Sequence, residues 1–174
     1  DKHSASNTGN KSPYYIESGW SAARAGGEAG TAIRLAAHRE AAACYHSRCD
    51  SPLLSGIKEG HTVNISLTFN YSMNRQEGGI GSKPKLGATV NVGWTTDTGN
   101  LSSGNETGTF PDSFYVNEET GSYSEIGNEH STQLDGITNA MRLSIRELAE
   151  TKADMTNGTY WLYLDNIKVS IANN

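Results

Sequence analysis

The chain predicts an antiparallel, all-β sandwich of two sheets, and three observations carry that expectation. The first is alternation. Val63, Ile65, Leu67, Phe69, Tyr71 and Met73 hold every second position of one stretch while Asn64, Ser66, Thr68 and Asn70 face away, which is the pattern of a strand buried on one face. The second is composition: 19 glycines with 35% hydrophobic and 19% charged residues suit a turn-rich β protein better than a helical one. The third is organisation, since about eight to ten short runs separated by Gly-rich turns, with no convincing helix among them, have to bury their apolar faces against a second sheet.

A chain of 174 residues is long enough for one good core and too short for two comfortable ones. Residues 1–12 are polar and turn-rich and read as a linker or flexible N-terminal end, leaving 13–174 as a single domain.

Within that domain, Pro13 to Trp20 is a short apolar run closed by Gly19, an edge strand where proline is tolerated. Arg24 to Gly30 reads as a glycine-rich turn carrying Glu28. From Thr31 to Ala37, Ile33, Leu35 and Ala37 alternate with Arg34. The Ala-rich piece from Ala36 to Ala43 is too short and uncapped for a stable helix, so it is read as strand and turn. Ser51 to Ile57 is a short strand before a turn at Lys58 to Gly60, and the long alternating strand follows from Thr62 to Met73. Asn74 to Pro84 is a loop. Leu86, Ala88, Val90, Val92 and Trp94 define a second alternating strand, and Thr95 to Pro111 has no periodicity and reads as a long surface loop. Phe114 to Val116 and Ser122 to Ile126 flank a turn and fit a hairpin. Met141, Leu143 and Ile145 alternate with Arg142, Ser144 and Arg146 in a strand running to about Leu148. The core expected from these stripes is Val63, Ile65, Leu67, Phe69, Leu86, Val90, Val92, Leu143 and Ile145.

The last stretch, Thr159 to Ile171 after an Asn157-Gly158 turn, reads as a central strand of aromatic and β-branched residues. Its alternation changes face. Leu162 and Leu164 share one parity and Ile167, Val169 and Ile171 the other, which requires a β-bulge at Asp165-Asn166 and re-aims a carboxylate there.

Several function classes are disfavoured. No window has the length of a membrane span. The net charge is −5 and the basic residues do not cluster with aromatics, so nucleic acid is not an expected partner. His3, His38, His46, His61 and His130 are scattered and none sits at metal spacing from a second ligand. Six Asn-X-Ser/Thr triplets, at Asn10, Asn64, Asn70, Asn100, Asn105 and Asn157, matter only if the source glycosylates. Cys44 and Cys49 enclose four residues, which is not zinc spacing. A local disulfide or two free thiols remain, and the bridge is the expectation for an exported domain.

Ile16-Glu17-Ser18-Gly19-Trp20, Gly30 to Leu35, Ser51-Pro52-Leu53 before Gly60 to Phe69, and Tyr163-Leu164-Asp165-Asn166-Ile167-Lys168-Val169, in that order, resemble the jelly-roll carbohydrate-binding modules of secreted polysaccharide-degrading enzymes and bacterial surface glycan-binding proteins. The likeness runs from Tyr14 to Ile171, although Thr95 to Ile137 matches no part of it and the cysteine pair is outside the family's usual pattern. It implies a non-catalytic module, secreted or at the cell surface within a larger multidomain protein, whose partner is a polysaccharide or other glycan. It also implies a structural calcium ion held by Glu17 or Glu28 together with Asp165. A bulge that turns a carboxylate sideways agrees with this, because calcium takes carboxylate and carbonyl oxygens; the alternative is that Asp165 only accepts backbone hydrogen bonds there.

For the ligand itself, Trp161 and Tyr163 point away from the core if Leu162 and Leu164 point in, and an exposed aromatic pair is a stacking platform for sugar rings. If the assignment is inverted, Trp161 is core. Arg142 and Arg146 share the polar face of the preceding strand and are placed to bond sugar hydroxyls or a uronic-acid carboxylate, unless they form a solvated face. Trp94 is either the last core residue of its strand or a binder at the loop mouth. The enzyme alternative rests on Glu125-Ile126-Gly127-Asn128-Glu129, which resembles the Glu-X-Asp-X-Glu signature of jelly-roll glycosidases but has glycine where the central aspartate belongs. A polysaccharide lyase has no local motif here. A protein-binding adhesin or spacer module fits the same composition.

Overall fold

The computed structural model describes residues 14–15, 21–23, 25–29, 32–40, 43–45, 47–77, 88–96, 108–116, 128–149 and 158–172. The regular elements among them are all strands. In chain order they are β1 (Tyr14–Tyr15), β2 (Ser21–Ala23), β3 (Ala25–Ala29), β4 (Ala32–Glu40), β5 (Ala43–Tyr45), β6 (Ser47–Asp50), β7 (Val63–Glu77), β8 (Ala88–Thr95), β9 (Thr109–Val116), β10 (Asn128–Ile137), β11 (Arg142–Ala149) and β12 (Gly158–Ile171). No helix of the described residues is long and apolar enough to cross a membrane.

The strands form two six-stranded sheets, ordered β1-β2-β6-β11-β8-β9 and β10-β7-β12-β4-β3 with β5 alongside β4. Every pairing is antiparallel. The sheets pack over one core, as the alternation predicts. Ile65, Leu67 and Phe69 of β7 meet Val90 and Val92 of β8 and Leu143 and Ile145 of β11, all buried. Val63 packs at the rim, and Leu86 lies outside the described residues. Leu35, Leu134, Ile137, Leu162 and Leu164 complete the layer. Each such side chain contributes about 1.5–3 kcal/mol by leaving water.

The face switch in the last strand is present where the sequence puts it. The register of β12 against β7 shifts between Asp165 and Lys168, and Asn166 takes a left-handed φ of 50°. Leu162 and Leu164 fill the core before the bulge, and Ile167 packs against the core after it. Further on, β4 no longer pairs beyond Leu164, so Val169 and Ile171 stay 40% and 63% exposed even though they align with buried Leu67 and Ile65.

The structure corrects several local expectations. Arg24 to Gly30 is not simply a turn, since Ala25–Ala29 is a strand beside β4. Ser51 to Ile57 forms no strand. It belongs to a loop with turns at Ser55-Gly56 and Glu59-Gly60, whose glycines take φ of 97° and 76°. The region read as a loop to Pro111 becomes strand at Thr109, and the proline is tolerated because β9 is an edge. Ser122 to Ile126 lies outside the described residues.

The expected Cys44–Cys49 disulfide is not formed, because Cys49 is a free thiol buried in the core. The cause is topological. Cys44 lies in β5, next to β4 of one sheet, whereas Cys49 lies in β6, between β2 and β11 of the other. The chain changes sheets between the two cysteines, and Cys49 turns its side chain into the core. Burial pushes the Cys49 thiol well above its ordinary range, with the neighbouring Asp50 charge adding to the shift, so this thiol is inert.

Edge strands β9 and β10 belong to different sheets, yet side chains join them. His130 Nε2 donates to Asp112 Oδ2 at 2.6 Å, and the imidazole stacks on Phe114 with centroids 4.0 Å apart. Phe114 also meets Tyr71 at 5.1 Å and Phe69 at 6.3 Å. An aromatic and polar seam therefore closes that side of the sandwich where no backbone ladder runs.

Candidate functional site

The outward face of the second sheet is polar in rows that the register sets. Glu129, Asn70 and Asp165 align across β10, β7 and β12, followed by Ser131, Thr68 and Lys168, and then by Gln133, Ser66 and Ser170. Thr68 and Ser131 share a hydrogen bond of 2.7 Å between their hydroxyls. At the bulge, the Asn166 backbone N–H donates to Asp165 Oδ1 at 2.7 Å, and Asn166 Nδ2 donates to Asn70 Oδ1 at 3.1 Å. Asn70 Nδ2 donates in turn to the Asn128 carbonyl at 3.4 Å. Asparagine tolerates the left-handed conformation better than most residues, which lets the chain double back here while an amide stays on the surface.

Tyr163 stands on this face. Its neighbours Leu162 and Leu164 are buried in the core, so the pleat turns Tyr163 outward, where it is half-buried. It aligns with Ser72 of β7, one row from Asn70 and Asp165. The patch thus sets a phenol ring beside two amides and a carboxylate, groups suited to an apolar ring face edged with hydroxyls.

Of the other residues singled out in the sequence, Asp165 lies one row from Tyr163, whereas Arg142, Arg146 and Trp94 belong to the first sheet. Trp161 lies in β12, with its side chain outside the described set. Arg142 and Arg146 lie in β11, in the middle of the first sheet between β6 and β8, so the arginines and Tyr163 belong to opposite sheets although their strands are consecutive. Arg142 Nη1 donates to the Ser51 carbonyl at 2.9 Å, and the Arg146 guanidinium lies 4.3 Å from the Phe110 ring centroid. Trp94 is partly buried and packs against the core. Glu17 is outside the described residues, and Glu28 is in β3 with its side chain outside them. Asp165 serves the bulge through Asn166 N–H. Among the described residues no group of three or more His, Cys, Asp or Glu is placed to hold a metal ion.

The polar layer outside the first sheet is not evident from local pattern. Arg48, Asp50 and Ser144 have the parity opposite to core Cys49 and Ile145, yet all three are buried. Arg48 Nε and Nη2 approach Asp50 Oδ2 at 3.1 and 3.0 Å, and the Ser144 hydroxyl donates to Asp50 Oδ1 at 2.6 Å. Burial raises the Asp50 carboxyl above its ordinary value, while Arg48, the Ser144 hydrogen bond and Arg142 pull it partly back. Ser51 extends this ladder. Its N–H donates to the Leu143 carbonyl at 2.8 Å and its Oγ accepts from Leu143 N–H at 2.9 Å.

Comparison with protein-family models, with curated proteins and with solved structures gives no match for this chain.

Proposed function

We propose that this domain is a non-catalytic carbohydrate-binding module of the jelly-roll kind, secreted or displayed at a cell surface as part of a larger protein, and that its glycan lies on the outer face of the second sheet. The observation that carries this reading is Tyr163, turned outward by the pleat onto a surface where Asn70, Asn166 and Asp165 offer amide and carboxylate groups within one row. Stacking on the phenol supplies the apolar contact, and the Asx groups read hydroxyls. Affinity then falls in the micromolar to millimolar range, about 4 to 8 kcal/mol. Calcium belongs to the proposal at Asp165 with Glu17 or Glu28. Of that set only Asp165 has a described side chain, and with Oδ1 accepting from Asn166 N–H it offers Oδ2.

The test is isothermal titration with soluble β-glucan, mannan, xylan and galactan hexasaccharides. Wild-type protein is expected to bind at least one of them and release no reducing ends. Tyr163→Ala should weaken that binding by about tenfold or more, the loss of one stacking contact with its hydroxyl, in a domain that still unfolds cooperatively. Undiminished binding by Tyr163→Ala contradicts the placement, product release contradicts the non-catalytic role, and silence on every sugar favours a protein-binding or spacer module.

A further inference from the structure

Ser72 stands out on the same sheet. It is only 1% exposed, and its Oγ makes no hydrogen bond. Its parity on β7 is that of Asn70 and Thr68, opposite to Tyr71, which turns inward against Phe69 and Phe114. Ser72 therefore rises on the outer face, where the register sets it directly beside Tyr163, with Asn70 and Asp165 in the next row. Cross-strand neighbours in such a pair have their Cβ atoms about 4.5–5.5 Å apart. Nearly all buried polar atoms in folded proteins are satisfied, because a hydroxyl removed from water without a partner destabilises the fold. Alanine has the same backbone requirements and no such penalty, so an unpartnered serine here calls for a partner that comes from outside the chain.

We propose, on the carbohydrate-binding reading above, that Ser72 is the floor of the ligand site and that its hydroxyl is reserved for one hydroxyl of the bound sugar. A serine hydroxyl donates once and accepts twice, and a sugar hydroxyl complements either role. The sugar ring then lies against Tyr163, with Asn70 and Asp165 at its edge. Tyr163 is half-buried on the adjacent strand, and side-chain motion over Ser72 has to admit the sugar as it arrives. The ligand class is thereby narrowed to sugars that present a hydroxyl to this floor. A site built to bond a hydroxyl discriminates strongly against the analogue that lacks it, because the buried group is then left unpaired.

Titration and thermal melting of Ser72→Ala beside wild type and Tyr163→Ala, with the same four hexasaccharides as probes, decide the matter. Ser72→Ala is expected to bind about tenfold more weakly while melting at the same temperature as wild type or higher, since an unpaired hydroxyl has been removed. Unchanged affinity in Ser72→Ala, with Tyr163→Ala still impaired, overturns the role of Ser72 and leaves the carbohydrate reading standing. A lowered melting temperature also overturns it, because the hydroxyl then has a structural partner in solution such as a trapped water. If wild type binds none of the four sugars, the carbohydrate reading fails and takes the Ser72 proposal with it.

Discussion

Asp50→Ala is expected to lower the free energy of unfolding by about 3–5 kcal/mol, the range for removing one partner of a buried ion pair. Asp50 and Arg48 are 1% and 0% exposed, and two guanidinium nitrogens converge on one carboxylate oxygen. Without Asp50, the Arg48 guanidinium loses this carboxylate in a site closed to water, and the Ser144 hydroxyl loses its acceptor. Chemical denaturation of wild type and variant measures the difference, and a change below about 1 kcal/mol would mean the pair behaves as an exposed one. A pH signature accompanies it. The folded-state value of Asp50 is raised above its ordinary value of 3.8, so the folded protein holds this proton more tightly than the unfolded chain does. The stability that proton supplies is fully present below about 3.8 and is lost as pH rises through the raised value. In Asp50→Asn, which carries no titrating group there, this contribution to the pH profile should be absent.

Gly93→Ala is the second large effect. Gly93 lies in β8 where the register with β9 slips between Val92 and Trp94, and β9 folds close over it. A Cβ at this position would run into the Thr109 carbonyl oxygen, with Phe110 Cα at 2.7 Å and the Thr109 carbonyl carbon at 2.8 Å. All three are backbone atoms, so no rotamer change relieves the clash. Overpacking of this kind typically costs about 1–3 kcal/mol and sometimes more, and the upper end is expected because the start of β9 has to move. Phe110 would move with it and leave the Arg146 guanidinium. Urea denaturation gives the energy, and the chemical shift of Arg146 Nε reports whether the ring has left. A variant with wild-type stability and an unmoved Arg146 would show that the close approach is absent in solution.

How much of this was legible in the sequence depended on how far apart the cooperating residues lie. Strands β7, β8 and β11 declare themselves, because one apolar face and one polar face produce a period of two within a few residues. The bulge is equally local, since Leu162, Leu164 and Ile167 cannot share a face without it. Strand β10 was hidden. Its inward positions include His130 and Thr132 besides Leu134, so polar residues occupy both faces and the period is blurred. The cysteine pair failed for a different reason, in that no local pattern says that β5 joins one sheet and β6 the other. Consecutive strands suggest Arg142 and Arg146 near Tyr163, yet β11 and β12 belong to different sheets. Within the candidate site, Tyr163 could be assigned from parity alone. The meeting of Asn166 with Asn70 spans 96 positions and follows only from the register of β12 on β7.

Residue-level mapping of a bound sugar tests the central claim most directly. In a heteronuclear NMR titration of the isotopically labelled domain with the tightest-binding hexasaccharide, the largest shifts are predicted at the Tyr163 ring, the side-chain amides of Asn70 and Asn166, and the backbone amides from Leu164 to Lys168. Signals from Arg142, Arg146 and Phe110 on the first sheet should stay in place. Shifts confined to the first sheet, or to loops away from β7 and β12, would contradict the claim that the outer face of the second sheet is the binding surface.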